Sequence, residues 1–303
     1  LDATIRCYKK ALTIRPDYAE AHNNLGNALM ELGQLDAAVK SFEKALAIRP
    51  DYAEAHNNLG NAFMELSQLD AAVKCYERAL AIKPDYHEAH NNLGVTLKEL
   101  GQLDAAVECY EKVLAIKPDY PETHNNLGIT LKELGQLDAA VECYEKALTI
   151  KPDFAEALNN LGNASKNLGQ LDAAVKCYEK TLTIKPDYAE AHNNLGITLK
   201  ELGQLDAAVK CYERALAIKP DFAEAYYNQG NVLKGLKRLD EALVSYERAI
   251  VLNPDLDWML GDSLHTKMHL CIWDDLANRL DELKNKINNK ERVISPFPVL
   301  ALI

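Results

Sequence analysis

The stretch AEAHNNLGNALMELGQLDAAVKSFEKALAIRPDY, 34 residues from Ala19 to Tyr52, returns in near-identical form along the chain. The same period is marked by a recurring proline, at Pro16, Pro50, Pro84, Pro118, Pro152, Pro186, Pro220 and Pro254. A fixed period of this length is typical of proteins that stack one supersecondary unit many times. The unit therefore decides the fold, and its positions are numbered here from 1 at Ala19.

Each unit contains two amphipathic segments. In the first, Leu25 and Leu29 recur at helical spacing, and Gly33 follows as a residue that ends a helix in the left-handed conformation. In the second, an apolar stripe that includes Phe42 is closed by Pro50. The pattern predicts two antiparallel helices joined by a tight turn.

Small residues and charged residues add detail to this hairpin. Gly26 and Ala38 are expected to let the two helices approach closely, with Phe42 filling the space around them. Asp51 is followed three residues later by Glu54, a spacing that predicts a capping box at the start of the next unit.

This pattern resembles the tetratricopeptide repeat, and the resemblance covers most of the chain. It implies an all-α fold, a right-handed superhelical solenoid of helical hairpins. The family usually carries Trp at position 4 and Tyr at position 11, where the first complete unit has His22 and Leu29.

The repeat boundaries predict the organisation of the chain. We expect a partial repeat with only its second helix at 1–18, seven complete units at 19–256, and a degenerate capping hairpin at 257–303. The last segment would also begin a linker to a further C-terminal domain. The partial repeat is expected to expose one apolar face, available for self-association, formed by Leu1, Ile5, Tyr8 and Leu12.

Composition excludes several classes of partner. A net charge of −11 argues against nucleic acid, which requires clustered Lys and Arg. The sequence has no apolar run of membrane-spanning length, so no membrane partner is expected. Equivalent places in successive hairpins lie too far apart for a disulfide, which favours reduced thiols and a cytoplasmic location. Six cysteines share such a place: Cys7, Cys75, Cys109, Cys143, Cys177 and Cys211.

The sequence contains little evidence of a catalytic site or a metal site. The chain has no nucleophile elbow, phosphate loop or dinucleotide-binding turn, so we expect no enzyme activity and no cofactor in this chain. His265 and His269 share the i, i+4 spacing of zinc ligands, but no third ligand is evident and no metal is expected. The position-4 histidines would have to converge to bind a metal, which stacked hairpins prevent. These are His22, His56, His90, His124 and His192.

Asparagine recurs on the first helix of each unit. Because asparagine is a mediocre helix former, its recurrence there requires an explanation. Position 6 carries it in every complete unit, at Asn24, Asn58, Asn92, Asn126, Asn160, Asn194 and Asn228. Position 5 carries it in six units, including Asn23, Asn57, Asn91 and Asn125. The amides can bond neighbouring hairpins and set their stacking, or they can pair with the backbone of an extended peptide. The sequence leaves both explanations open.

Position 9 varies along the same helix face. Asparagine alternates there with aliphatic residues, which are Val95, Ile129 and Ile197. We predict a peptide-binding groove that consists of the position-6 asparagines, the four position-5 asparagines named above and this apolar patch.

Two features are similar to the protein O-linked N-acetylglucosamine transferases and their bacterial relatives. One is the motif NNLGN with its asparagine ladder, and the other is the segment from Leu256 to Ile303. The resemblance implies that the chain recruits extended protein substrates for a sugar-nucleotide domain that would follow it, with the position-6 ladder as the binding element. The alternative is a free-standing adaptor or self-assembling scaffold with no link to a glycosyltransferase.

Overall fold

A computed structural model describes residues 1–254 and 259–273 and the single positions 278, 281, 283, 285 and 286. Within these residues the chain is helical and contains no strand, which confirms the predicted all-α solenoid of hairpins. Among the same residues, no helix combines the length and the apolar character needed to cross a bilayer.

The hairpins pair one A helix with one B helix. The leading helix is α1 (Asp2–Ile14). The A helices are α2 (Ala19–Glu31), α4 (Ala53–Glu65), α6 (His87–Glu99), α8 (Pro121–Glu133), α10 (Ala155–Asn167), α12 (Ala189–Glu201) and α14 (Ala223–Gly235). The B helices are α3 (Leu35–Ile48), α5 (Leu69–Ile82), α7 (Leu103–Ile116), α9 (Leu137–Ile150), α11 (Leu171–Ile184), α13 (Leu205–Ile218) and α15 (Leu239–Leu252). A further helix, α16 (Met259–His269), follows.

The helices belong to two compact units, one ending at Pro152 and the other beginning at Asp153. In each unit an A helix packs most extensively against its own B helix, and the next A helix packs on that B helix. Successive A helices within a unit also touch, so that polar groups on neighbouring A helices can meet.

A glycine and an aromatic ring set the distance between the two helices of every hairpin. The ring is fully buried at position 24, and the glycine lies opposite it at position 8. A Cβ atom added to Gly196 would lie 2.7 Å from Cε1 of Tyr212, and one added to Gly128 would lie 2.6 Å from Cε1 of Tyr144. The predicted close approach at Gly26 is confirmed, since its added Cβ would overlap the Phe42 ring.

The turn between the helices requires a left-handed residue. Gly101 has φ +74°, and its neighbours close a Schellman motif in which the Gln102 N–H donates to the Leu97 carbonyl at 2.9 Å. Ser67 and Lys237 occupy the same place and adopt the same conformation, with φ of 58° and 61°. The turn geometry is therefore kept at these two sites although the residue has a Cβ atom.

Replacing Ser67 by glycine is expected to stabilise the chain by about 1 kcal/mol, because a non-glycine residue in the left-handed region clashes with its own backbone. Chemical denaturation of the two proteins measures the difference. Replacing Gly101 by serine is the matched control and should cost a similar amount. A glycine at 67 that lowered stability would contradict the steric explanation.

The predicted capping boxes are wrong. Helix α4 begins at Ala53 with Tyr52 as its N-cap, and no side chain caps it, so that Asp51 lies outside the cap. The glutamate at position 2 contacts instead a base at the end of the same hairpin. Arg49 Nη1 donates to Glu20 Oε1 at 2.7 Å. Because both partners are partly exposed, such pairs contribute little to stability.

The prediction of an exposed apolar face on α1 is also wrong for most of its residues. Ile5 is buried, and Tyr8 and Leu12 are partly buried against the core that α2 and α3 form. Leu1 is 52% exposed. Helix α2 therefore covers the face of α1 that self-association would use.

Helix α16 packs against α15. The rest of the predicted capping hairpin and the predicted linker lie outside the described residues, apart from the single positions named above.

All seven cysteines are free thiols. Burial raises the pKa of Cys75 and Cys211 to about 11, so at neutral pH these thiols are protonated and weakly nucleophilic.

Candidate functional site

The asparagines of positions 5 and 6 form a ladder of hydrogen bonds between successive A helices. In each rung a position-6 Nδ2 donates to the position-5 Oδ1 of the preceding A helix. The rungs are Asn58 to Asn23 at 3.0 Å, Asn92 to Asn57 at 3.1 Å, Asn194 to Asn159 at 3.2 Å and Asn228 to Asn193 at 3.0 Å. We call this set the amide ladder. The asparagine amides therefore do bond neighbouring hairpins, which is the stacking role considered above.

The two positions differ in exposure. Asn23, Asn57 and Asn125 are buried, while Asn91 is partly buried. Position 6 is partly buried from Asn58 to Asn228, and Asn24 is exposed. Position 5 thus faces the space between helices, whereas position 6 keeps contact with solvent.

The ladder leaves part of each position-6 amide unused. An asparagine amide has two N–H donors and one acceptor oxygen, and a rung employs one donor. Among the described residues, the Oδ1 atoms of Asn58, Asn194 and Asn228 accept no hydrogen bond, and each of these amides retains one N–H. A ligand can use these groups without breaking the rungs.

Position 9 connects the ladder to the buried aromatic ring. The Tyr76 hydroxyl donates to Asn61 Oδ1 at 2.8 Å, and Asn92 Nδ2 donates to the same oxygen at 3.0 Å. Tyr178 and Tyr246 make equivalent bonds to Asn163 and Asn231 at 2.8 and 2.9 Å. These tyrosines were not predicted as partners of the polar face, although their fixed spacing of 15 residues from the asparagine was a usable signal.

Three hairpins have an aliphatic residue at position 9, and there the tyrosine hydroxyl lacks an acceptor. Val95, Ile129 and Ile197 are partly buried. The hydroxyls in the same hairpins are buried without a hydrogen-bond partner among the described residues, at Tyr110, Tyr144 and Tyr212. Burial raises the pKa of the Tyr110 hydroxyl, and Thr130 is a smaller influence in the opposite direction.

Cavities open on the face that carries positions 6, 9 and 13 of the A helices, which we call the A-helix face. One, of about 400 Å³, is lined by Asn27, Met30, Glu31, Asn58, Asn61 and Glu65. The next, of about 210 Å³, is lined by Asn61, Met64, Glu65, Tyr76, Asn92 and Val95. A larger cavity of about 860 Å³ lies between α1 and α3 and contains no residue of the amide ladder. The A-helix face is the stronger candidate because its amides offer unused donors and acceptors.

The ladder ends with a different chemistry at α16. Tyr227 takes position 5 in the last complete hairpin, and Asp262 takes the place of position 6 on α16. The tyrosine hydroxyl donates to Asp262 Oδ2 at 3.0 Å, and Lys234 Nζ lies 2.7 Å from Oδ1. Here position 5 donates and position 6 accepts, the reverse of an amide rung.

The recurring histidines have a structural role. Each position-4 ring bonds through Nε2 to the carbonyl of the proline six residues before it, at 2.9–3.0 Å for His22, His56, His90, His124 and His192. His265 and His269 lie with their Nε2 atoms 3.3 Å apart. In the part of the chain that the structure describes, no cluster of three or more His, Cys, Asp or Glu side chains forms a metal site.

Solved structures similar to this chain share its fold. The APC/C hetero-tetramer Cut9–Hcn1 has a TM-score of 0.67 at 16% identity, over 86% of this chain and 52% of that chain. This chain thus spans about half the length of that one. MamA has a TM-score of 0.50 at 30% identity, over 54% of this chain and 95% of that chain. YrrB, described as a TPR protein with an unusual peptide-binding site, has a TM-score of 0.51 at 24% identity, over 62% and 96%.

No curated protein matches the sequence. Family profiles do match it. One for TPR repeats matches residues 1–33, 26–67 and 60–101, and a tetratricopeptide repeat profile matches 85–153 and 153–221. Another tetratricopeptide repeat profile matches 223–256. Together with the stacked hairpins, these matches show that the chain belongs to the tetratricopeptide repeat family.

Proposed function

We propose that this repeat scaffold holds extended segments of other proteins along its A-helix face. The observation that carries the proposal is the unused hydrogen-bonding capacity of the position-6 amides, which remain partly exposed while they make the rungs. An extended polypeptide offers one N–H and one carbonyl per residue, and a side-chain amide can pair with either. Recognition of this kind is independent of the ligand sequence.

The aliphatic residues of position 9 would add hydrophobic contacts. Val95, Ile129 and Ile197 lie on the same face of their helices as the position-6 amides and are partly exposed. A ligand side chain that covers such a residue gains the transfer free energy of the buried area. The A-helix face would thus combine general backbone binding with a few apolar contacts.

The proposal predicts that removing position-6 amides weakens peptide binding more than removing position-5 amides does. We expect the triple change Asn58→Ala, Asn92→Ala and Asn126→Ala to lower affinity by about tenfold or more, since a total loss of about 1.4 kcal/mol in hydrogen bonds to the ligand corresponds to tenfold. Peptides of about twelve residues, selected from a random library on the unmodified chain, would serve as ligands in fluorescence anisotropy.

The matched control is the triple change Asn23→Ala, Asn57→Ala and Asn91→Ala. It removes acceptors that hold neighbouring hairpins but leaves the outward amides in place. We expect it to lower stability and to change affinity by less than about threefold. If both triple variants lost affinity equally, the ladder would act through stacking alone and the proposal would fail.

The wider role that we infer is recruitment of Ser/Thr substrates for an O-GlcNAc transferase-like domain in the parent protein. This part is supported by the resemblance of the asparagine ladder and of the segment from Leu256 to Ile303 to the O-linked N-acetylglucosamine transferases. The family profiles that match the chain describe only its repeats. The natural protein, incubated with labelled UDP-N-acetylglucosamine and a serine-rich peptide, should transfer the sugar. Binding without transfer would favour an adaptor with no such domain.

A further inference from the structure

We infer that Asn126 is the principal ligand-binding amide among the position-6 asparagines, and that Thr123 is the positioning residue that keeps it out of the amide ladder. The inference rests on the proposed function and adds to it a location and a ligand chemistry. The ligand would be an extended polypeptide that places a backbone amide against Asn126 and an aliphatic side chain between Val95 and Ile129.

The rung expected at Asn126 is not formed. By the repeat, its acceptor would be Asn91, 35 residues earlier, as Asn57 is for Asn92. Asn126 instead makes no side-chain hydrogen bond among the described residues. Like the position-6 asparagines that form rungs, it is partly buried. Asn24 also lacks a rung, but no A helix precedes it in this sequence.

A buried hydroxyl takes the acceptor. Thr123 lies at position 3, where the other complete units have alanine, and its side chain is fully buried. A buried hydroxyl needs a partner, and Thr123 Oγ1 donates to Asn91 Oδ1 at 3.1 Å. The Asn91 amide is thereby held by α8 through Thr123 rather than through Asn126.

The second possible acceptor is missing as well. In the preceding hairpin Asn61 accepts from Asn92, 31 residues later, and from the Tyr76 hydroxyl. The residue that corresponds to Asn61 for Asn126 is Val95, which has no acceptor. The Tyr110 hydroxyl, fully buried in the same hairpin as Val95, correspondingly has no hydrogen-bond partner among the residues that the structure describes.

Two natural departures from the repeat pattern near Asn126 thus change the hydrogen bonding of the A-helix face. Thr123 and Val95 remove both internal acceptors, so that the whole Asn126 amide, two donors and one oxygen, is available to a ligand. The other described rungs offer fewer groups, because each already spends at least one donor. Val95 and Ile129 flank this amide in the repeat and provide apolar area for a neighbouring ligand side chain.

The first test needs no ligand. In the ¹⁵N-labelled chain, the Asn126 side-chain amide, assigned with Asn126→Asp, should exchange its protons with water several-fold faster than that of Asn58. In the Thr123→Ala variant, Asn126 should recover its rung to Asn91, and its exchange should slow to the Asn58 rate. Equal exchange at Asn126 and Asn58 in the unmodified chain would overturn the inference, whatever any peptide does.

The second test uses a peptide of alternating Gly and Ser, about twelve residues long, with one central leucine. We expect Asn126→Ala and Thr123→Ala each to weaken its binding by about three- to tenfold, and the matched change Asn58→Ala by less than about twofold. A copy of the peptide with serine in place of leucine should bind more weakly to the unmodified chain.

The outcomes separate the two proposals. Equal losses in Asn58→Ala and Asn126→Ala would overturn the special role of Asn126 and leave the amide ladder as the ligand site. If fast exchange at Asn126 were accompanied by no peptide-induced change in any ladder amide, the proposed function would fail instead. A Val95→Asn variant adds a check, since its new acceptor should slow Asn126 exchange and weaken binding together.

Discussion

Replacing Gly196 by alanine is expected to destabilise the chain by about 3 kcal/mol, at the upper end of the cost of overpacking a well-filled core. The added Cβ would lie 2.7 Å from Cε1 of Tyr212, a ring with no exposed surface. Because the ring is buried among neighbouring helices, it cannot turn away, and the two helices of the hairpin must separate. Chemical denaturation followed by circular dichroism measures the loss.

Gly235 supplies the control within the same unit. It ends α14, and the nearest atom that an added Cβ would meet among the described residues is Leu205 Cδ1 at 3.9 Å, an ordinary contact. Alanine there should be neutral or stabilise the chain by about 0.5–1 kcal/mol through its better helix propensity. A similar destabilisation at both positions would show that alanine disturbs these helices for a reason other than contact with the ring.

Removing a tyrosine hydroxyl is expected to have opposite effects in two neighbouring hairpins. Tyr178→Phe should cost about 1–2 kcal/mol, because the change removes a bond to Asn163 and leaves that amide oxygen without its partner. Tyr212→Phe should be neutral or stabilising by up to about 1 kcal/mol, because that hydroxyl is buried and has no hydrogen-bond partner within the described part of the chain. Burial raises the pKa of both tyrosines, so both are protonated at neutral pH.

The comparison is well matched because both rings are fully buried at position 24 and face a position-8 glycine at nearly the same distance. Denaturation midpoints of the two variants therefore report the hydrogen bond and not the packing. The natural chain already carries Phe42 at this position, which shows that the hydroxyl is dispensable for the fold. Equal losses in both variants would mean that Tyr212 has a partner after all.

Local patterns in the sequence were sufficient for the hairpin. Apolar spacing, the turn glycine and the proline period depend on contacts between residues close in the chain, and the helices of the structure follow them from Ala19 to Leu252. The contact of Gly26 with Phe42 was also predictable, because both residues belong to one hairpin. The capping prediction failed since Asp51 precedes a helix whose N-cap is Tyr52, a difference of one residue that a spacing rule does not resolve.

By itself, the sequence determined that this chain is a stack of tetratricopeptide hairpins with asparagine at fixed positions on every A helix. Only the tertiary structure decided what each amide does, because its partner lies 31 or 35 residues away on a neighbouring A helix. The choice between Asn126 and Thr123 as the donor to Asn91 depends on which side chain reaches the Asn91 oxygen across the packed helices, and Thr123 does so at 3.1 Å. A repeat pattern contains the residue types but not those distances.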